Sequence, residues 1–435
     1  MLETLIYVAV GLLVVLIPGV YWYRERSKSK RAAETLTKAV ESGRDQPVSL
    51  HPVIDPNICI GSGACVRACP EQNVLGLIDN AGKLISPSNC IGHGMCQAAC
   101  PVNAITLVFG TETRGVDIPH LKGTFETNVP GVYIAGELGG MGLIRNAVTQ
   151  GRQATEYIVK SLEREDGQDL LDLLIVGSGP AGIAASLQAK EEGLRFVTID
   201  QDDLGGTILS YPRRKLVMTQ PMELPGYGTI KVREVEKENL LSTFQSVFQK
   251  TDLTVQTGEK CERVSRENGH FRIVTSKQEY RARRVLLAIG RRGTPRKLGV
   301  PGEKPPRVYY RLTDPEHFAG KKILVVGGGD SAVEAAVSLG ENRSTTVHLS
   351  YRRDKIFRIK EGNTKRLKEA IEGGTVIPMY GTEVARIEDD HVILREGEDE
   401  HRLDNDQVFV FAGGVLPTEF LQSIGIEFTR KFGEV

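Results

Sequence analysis

The stretch DLLIVGSGPAGIAASLQAKEEGLRFVTID, Asp172 to Asp200, constrains the fold more than any other part of the chain. An apolar run gives way to Gly177, Gly179 and Gly182, then to a helical pattern, then to a second apolar run that ends on an acid, Asp200. Glycines at that spacing permit a tight turn, close backbone approach to a pyrophosphate, and contact between helix and strand. The expectation is a βαβ dinucleotide-binding unit, with Asp200 on a ribose hydroxyl. A second unit begins at Lys321, where KKILVVGGGDSAVEAAVSLG presents Gly327, Gly329 and Ala332. Its following strand, TTVHLSYRR, ends without an acid. A carboxylate there would hold a 2'-hydroxyl and repel a 2'-phosphate, whereas Arg352 and Arg353, with Arg358 nearby, suit the phosphate. The expected second nucleotide is therefore NADPH.

Six of the seven cysteines fall in two copies of one pattern, DPNICIGSGACVRACP and SPSNCIGHGMCQAACP. Each reads as an iron-sulfur ligand run with one position changed, Ser62 in the first copy and His93 in the second. Thiolate ligands in a repeat ending Cys-Pro point to a reducing compartment rather than to disulfides. The seventh cysteine, Cys261, stands alone and reads as a small buried residue. Lys plus Arg total 55 and Asp plus Glu total 55, so no net charge draws the chain to nucleic acid.

At the N-terminus, Leu5 to Tyr23 carry no charge, and at ~1.5 Å per residue a helix of that length just spans a ~30 Å hydrocarbon core. Tyr21, Trp22 and Tyr23, followed by Arg24, Arg26, Lys28, Lys30 and Arg31, look like an interfacial belt with a positive-inside flank. These features predict one transmembrane helix in the cytoplasmic (inner) membrane, single-pass, with everything downstream on the cytoplasmic side.

The cysteine repeat resembles the bacterial two-cluster ferredoxins over about sixty residues. That resemblance implies crossed ligation, in which the last cysteine of each run serves the other cluster. Cys59, Cys65 and Cys100 would hold one cluster, and Cys90, Cys96 and Cys69 the other, with Ser62 and His93 at the fourth-ligand positions. Each cluster would be 3Fe-4S or 4Fe-4S. The two dinucleotide units, with AIGRRGTPRKLGVPGE (Ala288 to Glu303) between them, resemble the thioredoxin-reductase-like flavoproteins. In that class the first unit binds FAD and the second NADP(H). The motif that usually closes the FAD domain near the C-terminus matches TNVPGVYIAGELGGMGLIRNAVTQGRQATEYI, residues 127 to 158, upstream of the first fingerprint. The FAD domain thus resembles a circularly permuted one, with Gly136 and Glu137 at the flavin. Residues 407 to 435 are the text that would lead into that motif.

The expected fold is α/β: two Rossmann-type domains, the FAD domain permuted, plus a small α+β ferredoxin-like domain and the membrane helix. Expected boundaries are an anchor at 1–23, a linker at 24–50, the iron-sulfur domain at 51–110 and the displaced FAD segment at 111–168. The FAD domain proper follows at 169–302, the NADP domain at 303–412, and a return to the FAD domain at 413–435.

Thioredoxin reductases carry a Cys-x-x-Cys before the second fingerprint. Here YYRLTDPEHFAGKK, Tyr309 to Lys322, has no cysteine, which excludes a dithiol relay at that place and resembles the bacillithiol-disulfide-reductase and ferredoxin-NADP-reductase branches. GGTILSYPRRKLVMTQPMELPG, Gly205 to Gly226, fits the first of these. The implied function is NAD(P)H-dependent electron transfer through FAD to the chain's own clusters, and on to a quinone, a ferredoxin or a heme protein. The chemistry is cofactor-borne and no acid-base pair is expected. A redox sensor or scaffold with little turnover is the alternative, and the class is commonly homodimeric.

Overall fold

The computed structural model describes the chain except residues 1, 48–49, 72, 113–114, 140–141, 163–169, 212, 214–215, 219–220, 233, 292–293, 357–358, 416 and 434–435. Two compact units emerge, one of residues 1–116 with 431–435, the other of residues 117–430.

The first unit is built on the cysteine repeat. Strand His51–Ile54 pairs antiparallel with Ile105–Val108, so the start of the first copy meets the end of the second. Leu75–Ile78 and Ala81–Leu84 form a hairpin between the copies, turned by Asp79 and Asn80 in the left-handed region. Each copy contributes one short helix, Ala64–Ala68 and Met95–Ala98.

The membrane anchor and inner-membrane location expected from the N-terminus are overturned. Among the described residues no helix is long and apolar enough to cross a membrane. The uncharged run belongs to one 40-residue helix, Leu2–Glu41, that continues through the basic segment without a break. Its C-terminal half packs on protein: Ala32 and Ala39 are buried, and Ala32 clusters with Ile78 and Ile85. Gly76 lies so close under it that an added Cβ would stand 2.9 Å from that of Ala32. Absence of charge was the sequence signal, but the segment's structural identity comes from the whole helix and from what that helix packs against. Tyr7, Leu12 and Val14 to Ile17 on its first half are exposed.

The second unit contains two large sheets, one mixed and one parallel. In the first, Leu171–Val176 lies between Phe196–Ile199 and Glu279–Leu287, all parallel, and Cys261–Glu267 and His270–Thr275 extend it antiparallel. Leu173, Leu174 and Ile175 have no exposed surface, as a strand covered on both faces requires. The sheet is completed from upstream, because Val132–Ile134 runs parallel to Val285–Leu287. Helix Ile144–Ser161 then lies on helix Pro180–Glu191 so closely that a Cβ on Gly151 would stand 2.0 Å from the Ala181 carbonyl oxygen. At the seam, Asn128 donates its amide to the Gly425 carbonyl and accepts the Glu427 N–H, both at 2.9 Å. Segments nearly 300 residues apart in sequence are therefore hydrogen-bonded in space.

The second sheet is parallel throughout, in the order Val308–Tyr309, Gln407–Val410, Lys322–Val326, Thr346–Tyr351 and Ile377–Tyr380. An antiparallel three-stranded sheet from Thr382 to Asp404 is appended to it in sequence.

Candidate functional site

In both glycine loops the three small residues divide their work. Gly177 has φ 109°, and a Cβ there would stand 2.5 Å from the Ala288 carbonyl oxygen. A Cβ on Gly182 would stand 1.8 Å from the Gly177 carbonyl oxygen, so turn and helix touch backbone to backbone. Gly179, between them, would meet only the Cα of Gly206, at 3.9 Å. That open middle position, at the N-terminus of Pro180–Glu191, suits a pyrophosphate and the helix dipole together. The second loop repeats the arrangement: Gly327 has φ 146° and abuts the Phe411 carbonyl, Gly329 meets nothing within 4 Å, and Ala332 is fully buried.

The structure also shows partners that the sequence did not reveal. Asp200 is 7% exposed and accepts the backbone N–H and hydroxyl of Ser178, at 2.5 and 2.8 Å, inside the first loop. It therefore braces the loop in addition to standing where a ribose acid is expected. Burial raises its pKa, against the opposing effect of those hydrogen bonds. Gly136, at φ 86°, donates its N–H to Gln150 of the closing helix at 2.9 Å, and Glu137 opens the short turn that follows. Beside the second loop Asp330 accepts from the Lys360 N–H and the Asn363 amide, tying the glycine loop to the end of the basic segment. Aspartate-to-amide bonds of that kind carry no spacing signature. Arg352 and Arg353 follow strand Thr346–Tyr351 and are exposed, while Arg358 lies outside the described residues.

The cysteines sort into two cavities, and neither contains one repeat alone. Cys59, Cys65 and Cys100 line one cavity with Ser62. Cys69, Cys90 and Cys96 line the other with His93 and Glu71. The loops above them correspond: Gly61 and Gly63 at φ 68° and 65°, Gly92 and Gly94 at φ 79° and 73°. Gly63 faces Leu77 and Gly94 faces Leu107. The charges follow the same sorting, because the thiolates that raise the pKa of Cys65 are Cys59 and Cys100, and those acting on Cys96 are Cys90 and Cys69.

Burial is the larger cause in each case. It raises the pKa of Cys65, Cys69 and Cys90, and pushes Cys96 up to about 11. Three cysteines facing one cavity ionise together only with a compensating cation, which a bound iron-sulfur cluster would supply. The donors therefore fit the group. Among the described residues no three His, Cys, Asp or Glu side chains could hold a single metal ion; a multi-iron cluster spreads its thiolates across its own width and needs a wider trio. Two backbone N–H groups point at sulfur in the first cavity, Gly82 to Cys59 at 3.4 Å and Ala104 to Cys100 at 3.2 Å. Burial also lowers the pKa of His93, against the attraction of Glu71, which favours the neutral imidazole that a metal takes. Cys261 is buried in its strand with a pKa raised to about 12 by burial, which leaves it inert.

Comparison with known proteins agrees with this division. The pyridine nucleotide-disulphide oxidoreductase family matches residues 174–432, and the 4Fe-4S dicluster domain matches residues 51–101. A ferredoxin–NADP reductase of Thermus thermophilus is 31% identical over 278 residues, 60% of this chain and 79% of that protein. Bacilliredoxin reductase Bdr of Bacillus subtilis is 27% identical over 265 residues, 60% of this chain and 82% of that protein. Among solved structures, the bacillithiol disulfide reductase Bdr of Staphylococcus aureus shares the fold, with a TM-score of 0.53, 23% identity, and coverage of 60% of this chain and 81% of that one. A family match across more than half its length places the chain in the pyridine nucleotide-disulphide oxidoreductase family, as an NAD(P)H-dependent flavin oxidoreductase with a 4Fe-4S dicluster domain.

Proposed function

We propose that the chain moves electrons between NADPH and two iron-sulfur clusters of its own by way of FAD, and exchanges them with a one-electron protein carrier such as a ferredoxin. The observation that carries this reading is the presence, in one chain, of two glycine loops and two cavities with three cysteines each. No cysteine occurs at 309–322, where a dithiol would serve instead. FAD, when bound, takes up a hydride's two electrons and can release them one at a time, the form in which clusters accept them.

The residues have separable tasks in this reading. Gly177, Gly179 and Gly182 receive the FAD pyrophosphate, with Gly136, Glu137 and Gln150 supplied from the displaced segment at 111–168. The chain's last part, 413–435, returns to the same domain. Gly327, Gly329 and Ala332 receive the nicotinamide dinucleotide, and Arg352, Arg353 and Arg358 select its 2'-phosphate. Asp330 and Asn363 hold the basic segment against the glycine loop. The likeness to ferredoxin–NADP reductases supports the choice of a ferredoxin-type partner.

The test is anaerobic addition of NADPH to protein with intact flavin and clusters, followed by EPR. Reduced-cluster signals are expected. Clusters that dithionite reduces and NADPH leaves oxidised would end this reading. The double variant Arg352→Gln/Arg353→Gln is expected to raise KM for NADPH about tenfold or more, since each charge-assisted bond contributes about 1.5–3 kcal/mol, and to leave KM for NADH unchanged. An equal rise for both nucleotides would place the arginines outside phosphate selection.

A further inference from the structure

The geometry points to two different clusters in this unit: a three-iron cluster on Cys59, Cys65 and Cys100, and a four-iron cluster on Cys69, Cys90 and Cys96 with the His93 imidazole on its fourth iron. This rests on the reading of the six cysteines as cluster ligands, and it assigns opposite roles to the two residues that replace a cysteine.

The two binding loops share their left-handed glycines, a short helix after the second glycine, and a leucine beneath it. Against that common frame Ser62 and His93 occupy equivalent positions and behave differently. Ser62 is exposed. Its hydroxyl accepts the Ala64 N–H at 3.4 Å, at the start of the helix Ala64–Ala68, and its carbonyl accepts from the Arg67 guanidinium at 3.2 Å. The side chain is thus engaged by the helix start, and a serine must also lose a proton of very high pKa before it becomes a useful iron ligand. His93 is half-buried and lines the cavity beside its three cysteines and Glu71. A neutral imidazole ligates through a ring nitrogen without losing a proton, and its second nitrogen stays available to a carboxylate, an arrangement that orients ligating histidines generally.

Ligand number decides the rest. Three thiolates complete the coordination of a 3Fe-4S cluster, while a cubane's fourth iron needs a further donor to be retained. The first cavity has three cysteines and, at its rim, an exposed serine whose hydroxyl accepts from the helix start. The second has three thiolates and an imidazole.

The test uses the full chain, purified without oxygen. Wild type is expected to contain about seven irons and about eight sulfides, the sum of one three-iron and one four-iron cluster. Its oxidised form should give the EPR signal of a three-iron cluster, and dithionite should abolish that signal and produce one from the four-iron cluster. His93→Ala is expected to lose about one iron while keeping its sulfide, and to roughly double the oxidised signal. Retained sulfide and flavin distinguish loss of one iron from loss of the fold. Ser62→Ala should change neither quantity, Ser62→Cys should gain about one iron and lose the oxidised signal, and His93→Cys should keep the four-iron cluster. About eight irons with no oxidised signal in wild type would overturn the inference. So would a His93→Ala variant identical to wild type, or a Ser62→Ala variant that loses iron as His93→Ala does. Dithionite separates this inference from the proposed electron route: reduction by dithionite but not by NADPH removes the route and leaves the ligation standing, and a chain that binds neither iron nor sulfide removes both.

Discussion

Replacing Cys69 with alanine is expected to destroy the cluster of the second repeat and to spare the one that Cys69 adjoins in sequence. The structure puts Cys69 in the cavity of Cys90 and Cys96, and Cys100 in that of Cys59 and Cys65. A trio that loses one thiolate keeps two, too few to hold either cluster type. Cys69→Ala should therefore lose about half its iron, and its EPR spectrum should match that of Cys96→Ala rather than that of Cys65→Ala. Cys100→Ala should behave in the converse way. The effect is large because the remaining thiols are buried, with Cys96 held near a pKa of about 11, and without iron they revert to neutral thiols lining an apolar cavity. Matching of Cys69→Ala to Cys65→Ala would mean that each repeat ligates its own cluster.

Two glycines, one in helix Pro180–Glu191 and one in helix Ile144–Ser161 that packs on it, carry the second expectation. A Cβ on Gly182 would stand 1.8 Å from the Gly177 carbonyl oxygen, and one on Gly151 would stand 2.0 Å from that of Ala181. Both obstacles are backbone, so no side chain can swing aside. Overpacking costs about 1–3 kcal/mol where neighbours can yield, and these neighbours can move only by separating a helix from its sheet or from its partner helix. Gly182→Ala and Gly151→Ala are both expected to lower the melting temperature and to yield protein with most of its flavin absorbance lost. Gly123→Ala, at a position with nothing within 4 Å, serves as the control. The Gly151 variant is the more informative, since that residue precedes the first fingerprint in sequence and affects FAD only if its helix closes the FAD domain. Full flavin content and an unchanged melting temperature in Gly151→Ala would reject that role.

Much of the site is legible in local text. The first fingerprint announces its strand, turn and helix because each glycine's task concerns neighbours within the same βαβ unit, as Gly177 and Gly182 show by touching one another. The cysteine repeat announces itself in the same way, through two left-handed glycines per loop and a Cys-Pro end. Other features have no local record. The carboxylate of Asp200 closes on Ser178, Asn363 reaches Asp330, and Gln150 caps Gly136, in each case through an ordinary polar residue whose partner is distant in sequence.

The N-terminal helix is the clearest case in which the sequence misled. Charge is a property of residues, and the uncharged run from Leu5 to Tyr23 was read from it correctly, but the role of a helix depends on its full length and its contacts. Here those contacts are Ala32 on Ile78 and Ile85, made by the charged half.

By itself the sequence determined the two glycine loops between strand and helix, the six candidate ligands and the lack of cysteine before the second loop, because short-range sterics and residue chemistry are written in contiguous text. The crossed trios and the upstream closing segment were implied by resemblance and not by any single stretch of text; the tertiary structure supplies the two cavities, the unequal exposure of Ser62 and His93, and the pairing of Val132–Ile134 with a strand that comes later in the chain. Those outcomes depend on chain closure and burial, and the energy of burial is set by neighbours that no single stretch of sequence contains.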